Sequence, residues 1–186
     1  MMAEKPRPLR ADAARNRARV LQVAYETFAA EGLAVPIDEI ARRAGVGAGT
    51  VYRHFPTKES LFEAIVTDRI GQLMAAARQL IADDPSTALF GFLHLMTTVG
   101  TADIGLAEAL AGTGIDLGTA IPDSEAEFMQ VLAELLTHAQ QAGTARADVD
   151  AKGVKTLLVG LQAMQRYNAD SELAYRIVRD GLATSP

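Results

Sequence analysis

Three glycines within five residues, Gly45-Val46-Gly47-Ala48-Gly49, run straight into Thr50, Val51, Tyr52, Arg53 and His54. A glycine-rich turn that opens a helix can cradle phosphate, either of a nucleotide cofactor or of a nucleic-acid backbone. A dinucleotide site needs a buried strand that delivers its C-terminal end to the glycines. What precedes them here is Asp38-Glu39-Ile40-Ala41-Arg42-Arg43-Ala44, which is charged and helix-periodic. The spacing is not that of GxGxxG, and no Gly-Lys-Ser/Thr follows. The cofactor reading fails, and no cofactor is expected. Other chemistry is equally poorly supplied. The chain has no cysteine, which excludes disulfides, thiolate ligands and cysteine nucleophiles. His54, His94 and His138 are scattered without paired ligand spacing, and there is no Gly-x-Ser-x-Gly elbow. Neither an enzyme nor a metal site is expected.

The elements that position these residues read as helices throughout. Aromatics are only 5% and tryptophan is absent, so a core must come mainly from Ala, Leu, Val and Ile. Leu21, Ala24, Tyr25 and Phe28 share one face of a helix over 12–31, and Gly32 suits the left-handed residue that ends it. Ile37, Ile40, Ala41 and Ala44 repeat the pattern over a short second helix, residues 37–44. Residues 48–54 form a third, stopped by Phe55-Pro56, and Thr57 caps a long fourth that ends near Asp83-Asp84-Pro85. Further helices are expected over 86–99, 103–111, 124–142, 150–167 and 171–182, with no strand alternation anywhere. The expected fold is all-α with about nine helices. A basic arm over 1–11 and a DNA-binding domain over 12–62 precede a helical ligand-binding and dimerisation domain over 63–186.

Charge follows the same division. Residues 1–60 carry ten Lys and Arg against seven Asp and Glu, a net +3, and the remainder carries −8. A basic start on an acidic chain fits a local polyanion contact, or equally a solvated tail. The first 20 residues lack the apolar core of a secretory signal. The uncharged run Pro85 to Ala102 contains Ser86, Thr87, His94, Thr97, Thr98 and Thr101, so it reads as a buried helix, not a membrane span. A soluble, cytoplasmic chain is expected.

What the glycines hold follows from three spacings. Two short helices that cross steeply need a small residue where their backbones meet, here Ala41. Four positions later they need a left-handed turn residue, here Gly45. An apolar residue on the second helix, here Val51, must then close the pocket. This is helix-turn-helix spacing, and the phosphate it implies belongs to DNA. The stretch "IDEIARRAGVGAGTVYRHFPTKESLFEAI", within residues 15–66, strongly resembles the DNA-binding domain of TetR-type transcriptional regulators. Its most specific part is the Gly-Thr-Val-Tyr-x-His-Phe-x-x-Lys-Glu-x-Leu string from Gly49 to Leu61. The resemblance implies a homodimer on a palindromic double-stranded operator, usually a repressor released by a small molecule.

The resemblance also implies phosphate contacts from Thr50, Tyr52 and His54, whose hydroxyls and imidazole N–H can donate to an anion. The Tyr52 ring is expected against Phe55 or the fourth helix, with its hydroxyl outward. Lys58 starts the fourth helix, where an ammonium and free N–H groups favour phosphate. Many members of the family carry Ser or Thr where this chain has Pro36. Pro36 has neither a hydroxyl nor an N–H to offer that contact, and Arg15, Arg17 or the arm is available to compensate. Base reading falls to Gly47, Ala48 and Gly49, which offer a methyl group and backbone, while Arg43 and Arg53 are guanine readers, phosphate clamps or solvated.

Two further surfaces are expected beyond the DNA-binding domain. Val154, Leu157, Leu161 and Met164, with Leu173 and Ile177 on the last helix, make an apolar face for a two-fold partner. Phe90, Phe128 and Met129, with the polar anchors His94, Thr97 and His138, suit a cavity for a small hydrophobic effector. His94 also reads as a satisfied core histidine. No Lys or Arg lies between Arg78 and Arg146, which points to a neutral or cationic effector. Two other functions fit the same residues: a DNA-binding protein without an inducer, and an all-α ligand-binding protein that has lost operator recognition.

Overall fold

The computed structural model describes residues 8–98, 122–166 and 170–184. Its regular elements are all helices: α1 (Pro8–Glu31), α2 (Ile37–Ala44), α3 (Ala48–His54), α4 (Lys58–Asp83), α5 (Ala88–Thr98), α6 (Pro122–Gln141), α7 (Ala151–Arg166) and α8 (Ser171–Leu182). The all-α class expected from periodicity is the class observed, and no strand occurs among the described residues. The helix expected over 103–111 lies outside them. Helix α1 begins at Pro8, so the end of the expected basic arm is helical. Proline suits a first turn, where its missing N–H would have had no helical partner.

Local chemistry sets the boundaries. Gly32 and Gly45 have φ of 76° and 67°, the left-handed conformation that ends α1 and α2. Thr57 and Ser60 cap α4 reciprocally: the Ser60 N–H donates to Thr57 Oγ1 and the Thr57 N–H to Ser60 Oγ, both at 3.1 Å. Serine here takes the part that Glu or Gln plays in a capping box. Helix α5 starts two residues later than periodicity suggests, because Asp84 accepts from the Ser86 N–H and from the hydroxyls of Ser86 and Thr87. Those bonds hold Ser86 and Thr87 in a turn. Asp170 accepts from the Glu172 and Leu173 N–H groups, both at 3.0 Å, and so starts α8.

The described residues fall into two compact units, divided between Asp68 and Arg69. In the first, α1, α2 and α3 pack on one another. Leu21, Ala24 and Phe28 of α1, Ile40, Ala41 and Ala44 of α2, Val51 of α3 and Leu61, Phe62 and Ile65 of α4 are buried. In the second, α5 packs on α6, α7 and α8, and α7 packs on α6 and α8. Its core runs from Met74 and Ala77 through Leu89, Phe92, Leu93, Leu132, Leu135 and Val154 to Leu182. The turn after α6 is joined to the end of α8 by an isolated bridge between Ala145 and Ala183. There the Arg146 N–H donates to the Leu182 carbonyl at 2.9 Å, and the Thr184 N–H to the Thr144 carbonyl at 3.2 Å. No described helix is long and apolar enough to cross a membrane.

Candidate nucleic-acid interface

The α2–α3 pair has the geometry that the three spacings require. Ala41 is buried under the crossing, and Gly45 turns the chain left-handed, its N–H donating to the Arg42 carbonyl. The Val46 N–H reaches back to the Ala41 carbonyl at 3.0 Å, which closes a Schellman-type turn. Gly47 then caps α3 in extended conformation without any side-chain bond. Val51 is fully buried and fixes the roll of α3, and Phe55 is buried at its end. With those two residues facing inward, Tyr52, Arg53 and His54 face outward, and Tyr52 is 44% exposed. The ring recorded against Phe55 is that of His54, with centroids 6.1 Å apart. Gly47 and Gly49 are exposed, while Ala48 and Thr50 are half-buried.

The basic residues of this unit fall into two sets. Arg17 lies over the Phe55 ring, 5.6 Å from its centroid, so α1 brings a guanidinium to the end of α3. Lys58 is half-buried and donates from Nζ to the Leu33 carbonyl at 2.7 Å, which ties the start of α4 to the α1–α2 loop. Two of its three protons remain for an anion. Arg53 is exposed. Arg43, in contrast, is committed within the protein. It pairs with Glu31 at the end of α1 and donates from Nε to Glu39 at 2.7 Å, while Arg42 holds Glu39 through two bonds of 2.7 Å. Those bonds lower the Glu39 carboxyl from the usual 4.5 to about 2, and they raise the Arg42 and Arg43 values. Pro36 precedes α2 with no side-chain cap, as its lack of a hydroxyl dictates.

In the second unit, the residues expected around an effector lie on α5 and α6. His94 is 48% exposed, with its ring edge-on to Tyr175 at 4.8 Å and Nδ1 3.9 Å from a Glu172 oxygen. It joins α5 to α8 at the surface and is not a core histidine. Thr97 is buried and donates to the His94 carbonyl. Phe90 and Phe128 pack as partly buried side chains on the hydrophobic core, and His138 stands 4.0 Å from Glu134 on its own helix. Met129 lines a groove. This groove holds about 450 Å³ between α6 and α7, and its other walls are Glu125, Lys152, Lys155, Thr156 and Val159. Of the six residues expected at a dimer interface, Val154 and Leu161 are buried in their own chain. Leu157, Met164, Leu173 and Ile177 remain exposed.

Comparison with known proteins accounts for both units. Residues 20–65 match the family described as bacterial regulatory proteins, tetR family. Residues 84–184, more than half of the chain, match the C-terminal domain described as transcriptional regulator SbtR-like. The chain belongs to the TetR family. A TetR transcription regulatory protein from Mycobacterium vanbaalenii is 56% identical, with 95% of this chain and 100% of that one covered and a TM-score of 0.82. A TetR transcriptional regulator from Streptomyces coelicolor is 32% identical over 91% of this chain and 99% of that one, with a TM-score of 0.75. Among sequences, the HTH-type transcriptional regulator SrpR of Pseudomonas putida is 28% identical over 161 residues, 81% of this chain and 75% of that protein.

As a TetR-family protein it is a DNA-binding transcriptional regulator. Sequence reasoning missed two contacts at its DNA-binding unit: Lys58 on the Leu33 carbonyl and Arg43 on Glu31. Both join residues more than ten positions apart, which no local pattern announces. The Glu39 pairs lie at i,i+3 and i,i+4 and were readable. They also predict a pH dependence. Because the folded carboxyl titrates near 2, below its usual 4.5, the contribution of Glu39 is fully present above about 4.5 and is lost as pH falls towards 2. Urea unfolding should separate wild type from Glu39→Gln by a constant margin between pH 5 and 7, with the margin closing at about pH 2. A margin that widens with acid would contradict the pairing.

Proposed function

We propose that this TetR-family regulator is a homodimeric repressor that binds a palindromic operator and is released by a small, largely apolar effector taken up by its C-terminal unit. One observation carries the DNA half of the reading: buried Val51 and Phe55 turn Tyr52, Arg53 and His54 outward beside Arg17. Thr50, Tyr52, His54, Lys58 and Arg17 would hold phosphates. The backbone and methyl group of Gly47, Ala48 and Gly49, with Arg53, would face the bases. Arg43 would orient α2 through Glu31 and Glu39. Two such units on one duplex need a fixed separation of about 34 Å or a multiple of it, hence a two-fold partner. The exposed Leu157, Met164, Leu173 and Ile177 on the adjacent helices α7 and α8 support that partner.

A gel shift and footprint with the intergenic DNA beside its own gene tests the reading. A symmetric protected site, lost on adding an apolar effector that also raises the melting temperature, is the expected result. Equal affinity for that DNA and for a scrambled duplex would overturn operator recognition. Specific binding that no effector disturbs would remove only the inducer.

A further inference from the structure

Of the five arginines from Arg15 to Arg43, three already have an acidic partner. Arg15 pairs with Asp12, Arg42 with Glu39, and Arg43 with both Glu31 and Glu39. Arg19 is different. It is exposed on α1 and has no hydrogen bond or ion pair among the described residues. Its guanidinium lies on the turn between α2 and α3: a methyl group placed on Gly45 would stand 3.6 Å from one Nη and 3.8 Å from Cζ. Arg17, two residues earlier, lies over Phe55 at the opposite end of α3. Helix α1 therefore sets one guanidinium at the turn leading into α3 and another at the residue that ends it.

This placement matters because the starts of α2 and α3 are poor in side-chain donors. Pro36 has neither a hydroxyl nor an N–H, and Gly47, Ala48 and Gly49 carry no polar side chain. A helix seated in the major groove is flanked on each side by a sugar–phosphate strand, so cations at both of its ends can meet phosphates. We propose that Arg19 is a phosphate-binding residue of the operator complex, taking the DNA backbone beside the α2–α3 turn while Arg17 takes it at the far end of α3. The proposal rests on the DNA-binding reading and adds a contact to it.

The experiment measures binding of wild type, Arg19→Ala and Arg19→Lys to the intergenic duplex and to a scrambled duplex of equal length, between about 50 and 200 mM salt. Each phosphate contact contributes about 0.9 to the slope of log affinity against log salt. In the homodimer the substitution enters at both half-sites, so Arg19→Ala should flatten the slope by about 1.8 on both duplexes, and the advantage of wild type shrinks about 12-fold across the range. Arg19→Lys keeps the charge and should keep the slope, which separates a lost cation from a disturbed turn. Arg17→Ala combined with Arg19→Ala should flatten it by about twice as much. An unchanged slope in a folded Arg19→Ala protein would overturn the proposal. So would a loss confined to the intergenic duplex at unchanged slope, the mark of a base contact. A wild type that bound neither duplex would overturn the DNA-binding reading beneath it as well.

Discussion

Ile177→Glu is expected to yield folded monomers with most of their operator affinity gone. Ile177 is 63% exposed on α8, beside Leu173, and Leu157 and Met164 stand exposed on the neighbouring α7. In an isolated chain, a carboxylate at such a position changes stability by no more than about 0.5 kcal/mol. At a two-fold interface it enters twice, each time desolvated beside apolar side chains, and an unpaired buried charge costs several kcal/mol. Each monomer then meets a single half-site, and the affinity that comes from linking two half-sites is lost. Sedimentation measures the assembly, a thermal melt measures the fold, and a gel shift measures the operator. Leu161 is the wrong residue for this test, because at 2% exposure it belongs to its own chain's core and glutamate there would unfold the helices. A stable dimer of Ile177→Glu would place the two-fold contact elsewhere.

Phe28→Ala should do the reverse, removing DNA binding while leaving dimers. Phe28 is fully buried on α1 in the core of the DNA-binding unit. Truncating a buried phenylalanine costs about 3–5 kcal/mol through lost burial and the cavity that remains. Whole domains are stable by only about 5–15 kcal/mol, so that loss melts or loosens the unit at working temperature. The core of α5 to α8 is built from other residues, Leu89, Phe92, Leu132, Leu135 and Val154 among them, and should keep its helices. Circular dichroism should lose part of its helical signal and sedimentation should still report a dimer. Unaltered operator affinity with an unchanged melt would mean that Phe28 packs less tightly than its burial indicates.

The two units were unequally legible in the sequence, for physical reasons. The bounds of α2 and α3 were readable to the residue, because Gly45, Gly47 and Phe55-Pro56 act within a few positions of where they stand. The apolar stripe of α7 was readable too, but not its division. Periodicity places Val154, Leu157, Leu161 and Met164 on one broad face, and only packing against α5, α6 and α8 decides which turn inward. His94 shows the same limit. Its apolar sequence neighbours suggested a buried anchor, whereas its own position on α5 faces Tyr175 and Glu172 at the surface. Arg43 looked like a free cation until the fold brought Glu31 beside it.

Glu39 has a consequence for how this chain can evolve. One carboxylate serves two guanidiniums, and Arg43 is shared in turn with Glu31. Neutralising Glu39 alone would release positive charge a few residues before α3, where added cations strengthen binding to every duplex and so dilute preference for one. Neutralising Arg43 alone would leave two carboxylates less compensated in the first unit, and negative charge there disfavours a polyanion. Drift at these positions is therefore expected to be paired: descendants that lose the acid at 39 should lose a base at 42 or 43, and an aligned set of relatives should show residues 31, 39, 42 and 43 changing together.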